Sequence, residues 1–359
     1  MKKRLLVIRW GALGDLLHLG STLAAVQSLA PDWEFHLLTH GIYETLMQHI
    51  PAITQVWRWD RATGWPGLYQ TAQALRGYGF DGVVNLHPSI KTALLAQWVR
   101  AKGSPTRPLK PGASYRKQKI RKKGLAQRSL ARRHAIEDFY QPFVKFFTDT
   151  ANNGAFAQCL STPIPPFRLY LPENPALKRP ADETWIGLIP GVGSKRANRA
   201  WTLTSYQALI DRLLQATSWR LLLLGGPDEV SLGNMLVQGV SSQALRLQNH
   251  CGKHSIVETA QLMAQCNVIV GGDTGPLHLA AATGVPLVAI YAPTALSRTG
   301  PRGNQRMKLL LPTDELNCWP CEQPTCPLQD EAEMACMKNI TVDQVLEAIY
   351  CLLSPDSAV

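Results

Sequence analysis

One glycine-rich turn carries the groups needed to bind an anion. Asp273, Thr274 and Gly275 follow an apolar run at residues 268–270, and His278 stands three residues further on. A helix beginning here could hold phosphate oxygens without a metal ion, through backbone N–H groups, the threonine hydroxyl and the helix dipole. The alternative is that Asp273 and Thr274 only cap the helix and that His278 is a core histidine.

A second glycine turn is followed by cations. It comes after the apolar run at residues 185–189 and contains Gly193, Ser194 and Lys195, with Arg199 shortly beyond. Exposed backbone N–H groups beside lysine and arginine suit a diphosphate. The spacing is not that of a Walker loop. An ordinary glycine turn with solvated cations is the alternative.

Two carboxylates follow a third apolar run, at residues 221–224. Asp228 and Glu229 stand after a pair of glycines, at a place where the acids of other nucleotide-binding folds accept hydrogen bonds from ribose hydroxyls. They could equally cap the next helix.

A loop near the start of the chain places another carboxylate beside a helix. Gly11 and Gly14 would let the backbone approach a ligand closely, Asp15 follows directly, and His18 lies one turn later. Asp15 would act as a general base or as a helix N-cap. His18 would orient a substrate or have a structural role.

The positive charge of the chain is concentrated in one segment. Residues 82–136 contain 14 Lys or Arg and no Asp or Glu, whereas the remaining residues carry 23 basic and 26 acidic side chains. Such a patch attracts phosphates, whether on nucleic acid, anionic lipid or a small substrate. Lys91 and His134 flank its most basic part.

Four of the eight cysteines cluster near the end of the chain, at Cys318, Cys321, Cys326 and Cys336. The first two have the spacing common in structural zinc sites, but the other spacings are irregular. The cluster therefore predicts a structural zinc site, with disulfides or free buried thiols as alternatives.

Short apolar runs alternate with helix-length segments, which predicts parallel sheets covered on both faces. The runs lie at residues 5–8, 35–38, 83–86, 185–189, 221–224, 268–270 and 287–291. Six prolines within residues 163–180 indicate a linker. We expect an N-terminal domain at residues 1–165, a linker at 166–183 and a C-terminal domain at 184–359. Ligands bind outside the carboxyl ends of such strands, so a cleft between the halves is the expected site.

Length and composition set the class of protein. The 359 residues, 45% of them hydrophobic and 18% charged, suffice for two domains. No apolar run approaches the roughly 18 residues of a membrane span, and the apolar stretch after the basic residues 2–4 ends at Ile8. We expect a soluble, cytoplasmic protein.

Three of these segments together resemble glycosyltransferase family 9, the lipopolysaccharide heptosyltransferases. They are Gly-x-x-Gly-Asp at residues 11–15, the cationic loop ending Arg199-Ala200-Trp201, and Asp-Thr-Gly-x-x-His at residues 273–278 followed by Gly-Val-Pro at residues 284–286. The resemblance runs in order from residue 4 to about residue 345. It implies the GT-B fold, an α/β architecture of two Rossmann-like, doubly wound domains facing a central cleft. It also implies an ADP-activated heptose as donor, inversion of the anomeric centre and no cofactor or metal for catalysis.

The resemblance implies roles for the matching residues. Asp15 would take the proton from the acceptor hydroxyl as that hydroxyl attacks the anomeric carbon. Arg199 stands two residues before Trp201, where family members usually carry a lysine that neutralises the leaving diphosphate. Arginine keeps the charge but changes its geometry, and Lys195 could share the task.

The C-terminal half would bind the ADP-sugar. Thr274 and Gly275 resemble the diphosphate cradle, with Asp273 and His278 near the donor sugar and phosphate. Either Asp228 or Glu229 would contact the ribose. The implied donor site is Gly193, Ser194, Lys195, Arg199, Asp228, Glu229, Asp273, Thr274, Gly275 and His278.

The N-terminal half would receive a phosphorylated or acidic lipid-linked saccharide. The candidate acceptor-binding residues are Gly14, His18, Lys91, Arg116, Arg121, Arg132 and His134. The basic segment would also suit docking on an anionic membrane surface, at the inner face of the cell membrane. A solvated loop is the alternative for this segment.

Two other functions compete with glycosyl transfer. One is a GT-B nucleotide-sugar epimerase or hydrolase, against which Asp15 in Gly-x-x-Gly-Asp argues. The other is a non-catalytic nucleic-acid-binding protein that uses the basic segment. Nucleic acid is not expected, because the sequence lacks a helix-turn-helix, zinc-finger or aromatic sheet signature. Tyr115 is also the only aromatic residue within residues 100–133.

Overall fold

The computed structural model describes residues 2–87, 89–99, 134–151, 168–193, 198–240, 244–302, 306–312, 316–323 and 325–354. These residues form two compact units, and the boundary between them falls after Tyr170. Each unit is built on one parallel sheet with helices packed against it, as the alternation of apolar runs predicts. The expected domain and linker bounds stay a prediction.

The first unit has four parallel strands in the order β3-β2-β1-β4. The strands are β1 (Lys3–Ile8), β2 (Trp33–Thr39), β3 (Gln55–Arg58) and β4 (Gly82–Asn85). The helices are α1 (Leu13–Leu29), α2 (Glu44–Met47), α3 (Gly64–Tyr78), α4 (Ile90–Val99) and α5 (Ala135–Ala151).

Apolar side chains of the central strands and of α3 and α4 form one core in this unit. Leu6 and Ile8 of β1 pack there with Leu68 and Leu75 of α3 and with Leu95 of α4. A strand enclosed on both faces reads as a continuous apolar run, which is why residues 5–8 identify β1.

The order of the strands places one crevice in the first sheet. The chain runs from β1 outward to β2 and β3, then returns to pair β4 on the other side of β1. The carboxyl ends of β1 and β4 are therefore a topological switch point, where open α/β sheets bind ligands. Residues 9–15 follow β1 and residues 86–89 follow β4 at this point.

The second unit has six parallel strands in the order β10-β9-β8-β5-β6-β7. The strands are β5 (Trp185–Ile189), β6 (Arg220–Leu223), β7 (Leu247–Asn249), β8 (Val268–Gly272), β9 (Leu287–Ile290) and β10 (Met307–Leu310). The helices are α6 (Leu203–Ala216), α7 (Val230–Gln238), α8 (Ile256–Gln265), α9 (Gly275–Thr283), α10 (Leu296–Thr299), α11 (Ala335–Lys338) and α12 (Val342–Leu353).

The switch point of this sheet lies between β5 and β8. β5 leads to β6 and β7 on one side, and the chain then crosses to pair β8 on the other side of β5. The two glycine turns identified from the sequence, after β5 and after β8, therefore meet at one edge. Gly272 permits this contact, because a Cβ there would lie 2.8 Å from the backbone carbonyl of Arg199.

Helix packing fixes the segment that follows Arg199. Trp201 is buried in the core of the second unit, and its indole N–H donates to the carbonyl of Ile340 at 2.9 Å. The Tyr206 hydroxyl donates to the carbonyl of Ile189 at 2.7 Å, at the end of β5. These bonds hold the start of α6 against the sheet beside the glycine turn.

None of the helices in the described ranges is both long and apolar enough to cross a membrane.

Candidate functional site

The switch point of the second unit brings three predicted donor residues together. Arg199 Nη1 lies 2.6 Å from Asp273 Oδ2 and donates to the main-chain carbonyl of Asp273 at 3.3 Å. His278 Nε2 lies 3.5 Å from Asp273 Oδ1. Asp273 is buried, so it is a fixed negative charge between a guanidinium and an imidazole.

The electrostatics keep that carboxylate charged. Burial alone would raise the pKa of Asp273, but the hydrogen bond with His278 and the positive charge of Arg199 outweigh it and lower the pKa to about 2. Tyr291 is buried close by, and its pKa is raised well above the usual value by burial and by the charge of Asp273. The tyrosine is therefore neutral.

Thr274, rather than Asp273, is the N-cap of α9. Its hydroxyl oxygen accepts from the N–H of Leu277 at 3.3 Å. The capping alternative is thus correct for Thr274, which lies at the same helix start that would receive an anion. Gly284 ends the helix with a φ of 82°, which glycine adopts without strain.

Glu229 lies against the loops that follow β5 and β6. A Cβ on Gly191 would lie 2.0 Å from Glu229 Cγ, and one on Gly225 would lie 2.9 Å from Glu229 Cβ. One carboxylate oxygen of Glu229 accepts from the N–H of Gly226 at 2.8 Å, so this residue also caps its own turn. Asp228 is exposed.

The turn after β5 is described only in part. Gly193 is exposed and has a φ of 71°, the left-handed conformation expected of a glycine turn. The predicted donor residues Ser194 and Lys195 lie outside the described residues.

Asp15 is held by an arginine at the switch point of the first unit. It lies in the first turn of α1, but the N-cap is Ala12, and the capping alternative for Asp15 is therefore wrong. The carboxylate forms an ion pair with Arg9, whose Nη1 also donates to the carbonyl of Leu86 at 2.7 Å. The guanidinium carbon lies 4.8 Å from the ring centroid of Phe139. These contacts leave Arg9 few orientations.

A histidine and a tyrosine complete the surroundings of Asp15. Burial and the positive charges of Arg9 and Arg61 lower the pKa of His87 to about 4, although Asp15 acts in the opposite direction. Burial and the Asp15 carboxylate raise the pKa of Tyr43. At neutral pH both side chains are therefore uncharged.

The predicted acceptor residues are in different surroundings. Gly14 lies directly before Asp15 in α1. His18 and His134 are both buried, with ring centroids 5.1 Å apart in an edge-to-face contact, which favours the structural interpretation of His18. Lys91 lies over the rings of Trp59 and Trp65, at 6.0 and 5.3 Å from their centroids. Arg116, Arg121 and Arg132 lie outside the described residues.

The cysteine cluster consists of free thiols. Burial, together with the neighbouring Cys321, Cys318 and Cys326, raises the pKa of Cys336 to about 11. Across the described residues, no three metal-ligating side chains lie close enough to hold an ion. A structural zinc at these cysteines stays a prediction, which metal analysis of the purified protein would test.

Four residues of the first site were not identified from the sequence: Arg9, Tyr43, Arg61 and His87. Arg9 directly follows the apolar run of β1. A cation at that position could have been recognised as the first residue beyond the carboxyl end of a strand. In the second unit, His250 and His254 were also not identified from the sequence. Their rings are stacked, with His250 Nδ1 2.8 Å from His254 Nε2, just beyond β7.

The family model and the named relatives that match this chain agree on one family. The model of glycosyltransferase family 9 (heptosyltransferase) matches residues 68–331. Lipooligosaccharide heptosyltransferase 2 of Campylobacter jejuni is 34% identical over 191 residues, which are 53% of this chain and 57% of that protein. Lipopolysaccharide core heptosyltransferase OpsX of Haemophilus influenzae is 22% identical over 307 residues, 84% and 82% of the two chains. This chain thus spans little more than half the length of the Campylobacter relative.

Solved structures give the fold. The structure of E. coli ADP-heptose lipopolysaccharide heptosyltransferase II matches with a TM-score of 0.76 and 21% identity, covering 100% of both chains. The prediction of a GT-B protein with two Rossmann-like units is confirmed.

Proposed function

The chain belongs to glycosyltransferase family 9, and on that premise we propose that it transfers a heptose from ADP-heptose to a lipopolysaccharide-core acceptor, with inversion and without a catalytic metal. The observation that carries the proposal is the cluster of Arg199, Asp273 and His278 at the start of α9, at the switch point of the second sheet. The names of the relatives support heptose and the lipopolysaccharide core as substrates.

The donor diphosphate binds at the start of α9. The Thr274 hydroxyl and the Gly275 N–H donate to its oxygens, and the helix dipole adds partial positive charge. Arg199, held by the carboxylate and carbonyl of Asp273, supplies the formal positive charge. Negative charge develops on the diphosphate as the sugar departs, so a cation fixed beforehand stabilises the transition state more than the ground state.

Glu229 contacts the ribose. Its side chain packs on Gly191 and Gly225, beside the strand ends where the diphosphate binds. One carboxylate oxygen accepts from the Gly226 N–H, and the carboxylate retains acceptor capacity for ribose hydroxyls. Asp228 is exposed to solvent and is not assigned this role.

Asp15 is the general base. It takes the proton of the acceptor hydroxyl while that oxygen bonds to the anomeric carbon, and the bond from this carbon to the diphosphate oxygen breaks on the opposite face. One displacement of this kind inverts the anomeric centre and releases ADP. Arg9 orients the carboxylate, and the cations Arg116, Arg121 and Arg132 contact acceptor phosphates.

Transfer assays test the proposal directly. Purified protein is incubated with ADP-heptose and heptose-deficient lipopolysaccharide, and both ADP release and the mass of the glycan are measured. We expect ADP release that requires the acceptor, and a gain of one heptose. ADP release without an acceptor would instead establish a hydrolase, and transfer from UDP-sugars alone would overturn the assignment of the donor.

A ligand screen gives a second test that needs no acceptor. The thermal unfolding midpoint is measured with ADP, UDP and GDP at equal concentrations. A ligand at 100 times its dissociation constant stabilises a protein by about 2.7 kcal/mol. ADP should raise the midpoint most, and equal effects of the three nucleotides would contradict a site built for adenosine diphosphate.

A further inference from the structure

The first unit exposes a group of large apolar side chains on two neighbouring helices. Trp65 and Tyr69 of α3 are 51% and 55% exposed, and Ile90 and Trp98 of α4 are 71% and 39% exposed. We call these four residues the α3–α4 surface. Single exposed apolar residues are ordinary, but several together on one face mark a binding surface.

A contact between the two helices joins two of these side chains. The rings of Tyr69 and Trp98 meet edge to face, with centroids 6.2 Å apart. An open cavity of about 470 Å³ lies between the helices, and Tyr69, Gln73, Arg76 and Trp98 contribute to its walls. Rings held in this way need little ordering when they bind a partner.

The exposed residues of α4 are mostly apolar, unlike those of an ordinary surface helix: Ile90 and Trp98 are apolar and Gln97 is polar. α4 buries Leu95 and Val99 against the core, yet Ile90 and Trp98 of the same helix are exposed. Its outer face therefore has an apolar character that water does not favour.

The charge of the surface is positive throughout. Residues 61–80 and 90–99 contain no Asp or Glu. Arg76 lines the cavity, and Lys91 Nζ lies 5.3 Å from the centroid of the Trp65 ring. Residues 100–133 lie outside the described residues, and their sequence contains 13 Lys or Arg and no Asp or Glu. A partner that complements this surface would have negative charges on its own surface and apolar groups just beneath them.

A bilayer with anionic headgroups has this layered chemistry. Tryptophan and tyrosine favour the interface, where the ring reaches acyl chains and the polar edge stays hydrated, and cations beside them meet the headgroup phosphates. We propose that the α3–α4 surface docks on an anionic lipid bilayer, with Trp65, Tyr69, Ile90 and Trp98 entering the headgroup region. The reason for docking rests on the proposed function, because a lipid-linked acceptor lies in a membrane, but docking itself needs no sugar transfer.

Vesicle binding by the full chain tests the proposal. Co-sedimentation is measured with phosphatidylcholine vesicles and with vesicles that also contain phosphatidylglycerol. We expect binding to the anionic vesicles, and a loss of about tenfold or more in partitioning for the triple variant Tyr69→Ser, Ile90→Ser, Trp98→Ser. The control is Leu245→Ser in the second unit, which removes a side chain that is 90% exposed and should leave partitioning unchanged. A folded triple variant that binds as tightly as the wild type would overturn the proposal.

Fluorescence provides a measurement that does not depend on that variant's folding. Brominated lipids quench tryptophans that enter the headgroup and upper acyl region. Wild-type fluorescence should fall on brominated anionic vesicles, and the variant Trp65→Phe, Trp98→Phe should lose most of this quenching while still binding. Binding without quenching would show attachment by charge alone and would refute insertion of the α3–α4 surface. Stronger, salt-sensitive binding to single-stranded DNA than to vesicles would refute a lipid partner.

The docking proposal and the proposed function can be refuted independently of each other. Vesicle binding that depends on the aromatic residues, without any transfer from ADP-heptose, would refute the proposed function and leave docking intact. Transfer to a lipid-free core oligosaccharide, without such vesicle binding, would refute docking alone.

Discussion

Arg199 contacts Asp273 twice through a single nitrogen, which lies 2.6 Å from a carboxylate oxygen and 3.3 Å from the main-chain carbonyl. Asp273 follows β8 and Arg199 belongs to the segment after β5, so this pair ties together the two strand ends at the switch point. A buried ion pair is costly to form, and losing one partner leaves an uncompensated charge. The pair therefore fixes the position of the Arg199 guanidinium beside the start of α9.

Removing the charge of Asp273 should weaken both the fold and nucleotide binding. Asp273→Asn keeps the shape of the side chain but leaves Arg199 without its buried anion, and the expected destabilisation is about 3 kcal/mol. Urea unfolding measures it, and calorimetry measures the ADP dissociation constant, which should rise. The matched control is Asp343→Asn, which breaks the exposed pair of Arg212 and Asp343 and should have little effect on either quantity. Equal effects of the two substitutions would contradict the role given to Asp273.

Glu229 and Asp228 offer a sharp comparison between neighbours. Glu229→Ala should raise the ADP dissociation constant about tenfold, the usual worth of a hydrogen bond to a charged group, whereas Asp228→Ala should leave it unchanged. Gly191→Ala should resemble Glu229→Ala, because its Cβ would lie 2.0 Å from Glu229 Cγ. The reverse order of the two acids would assign the ribose contact to Asp228.

Asp15 should contribute to turnover rather than to binding. Asp15→Asn removes the proton acceptor, and kcat should fall by about 10² to 10⁴ while the KM for the donor changes little. Asp81→Asn is the control, since Asp81 lies at the amino ends of β1 and β4, away from Asp15, and accepts from the N–H of Arg4. A variant without the Asp15 carboxylate that keeps normal turnover would exclude it as the base.

Arg9 should act on the reaction through Asp15. Arg9→Lys keeps a cation but cannot reach both Asp15 and the Leu86 carbonyl with the same fork of donors. We expect kcat to fall about tenfold, with the donor KM unchanged. Arg9→Met should lose more activity than Arg9→Lys. A normal kcat in both variants would leave Arg9 with a structural role only.

The sequence predicted those parts of the site that follow directly from local pattern. The apolar runs of β1, β5 and β8 are enclosed on both faces, so they identified the strands and hence the loops that carry Asp15, Gly193 and Asp273. Contacts between separate strands could not be predicted from the local sequence pattern. The pair of Arg9 with the carbonyl of Leu86 depends on β4 returning beside β1, and no local spacing encodes which strands become neighbours. The burial of His18 against His134 likewise depends on packing between distant helices.

Two histidines should make stability depend on pH in a defined window. The pKa of both His87 and His250 is lowered to about 4, against 6.5 for an unperturbed histidine, and burial is the largest cause. In the unfolded chain these rings take up protons below pH 6.5, whereas the folded protein resists protonation until about pH 4. The unfolded state therefore binds more protons within that window, and the free energy of unfolding falls as the pH falls through it.

Substitution tests this window directly. In the double variant His87→Gln, His250→Gln, the free energy of unfolding should decline less steeply between pH 6.5 and pH 4 than in the wild type, as measured by urea unfolding at several pH values. Gln70→Ala is the control and should keep the wild-type slope, because Gln70 is exposed and does not titrate. An identical slope in the double variant and the wild type would mean that the two half-buried rings titrate normally in the folded protein.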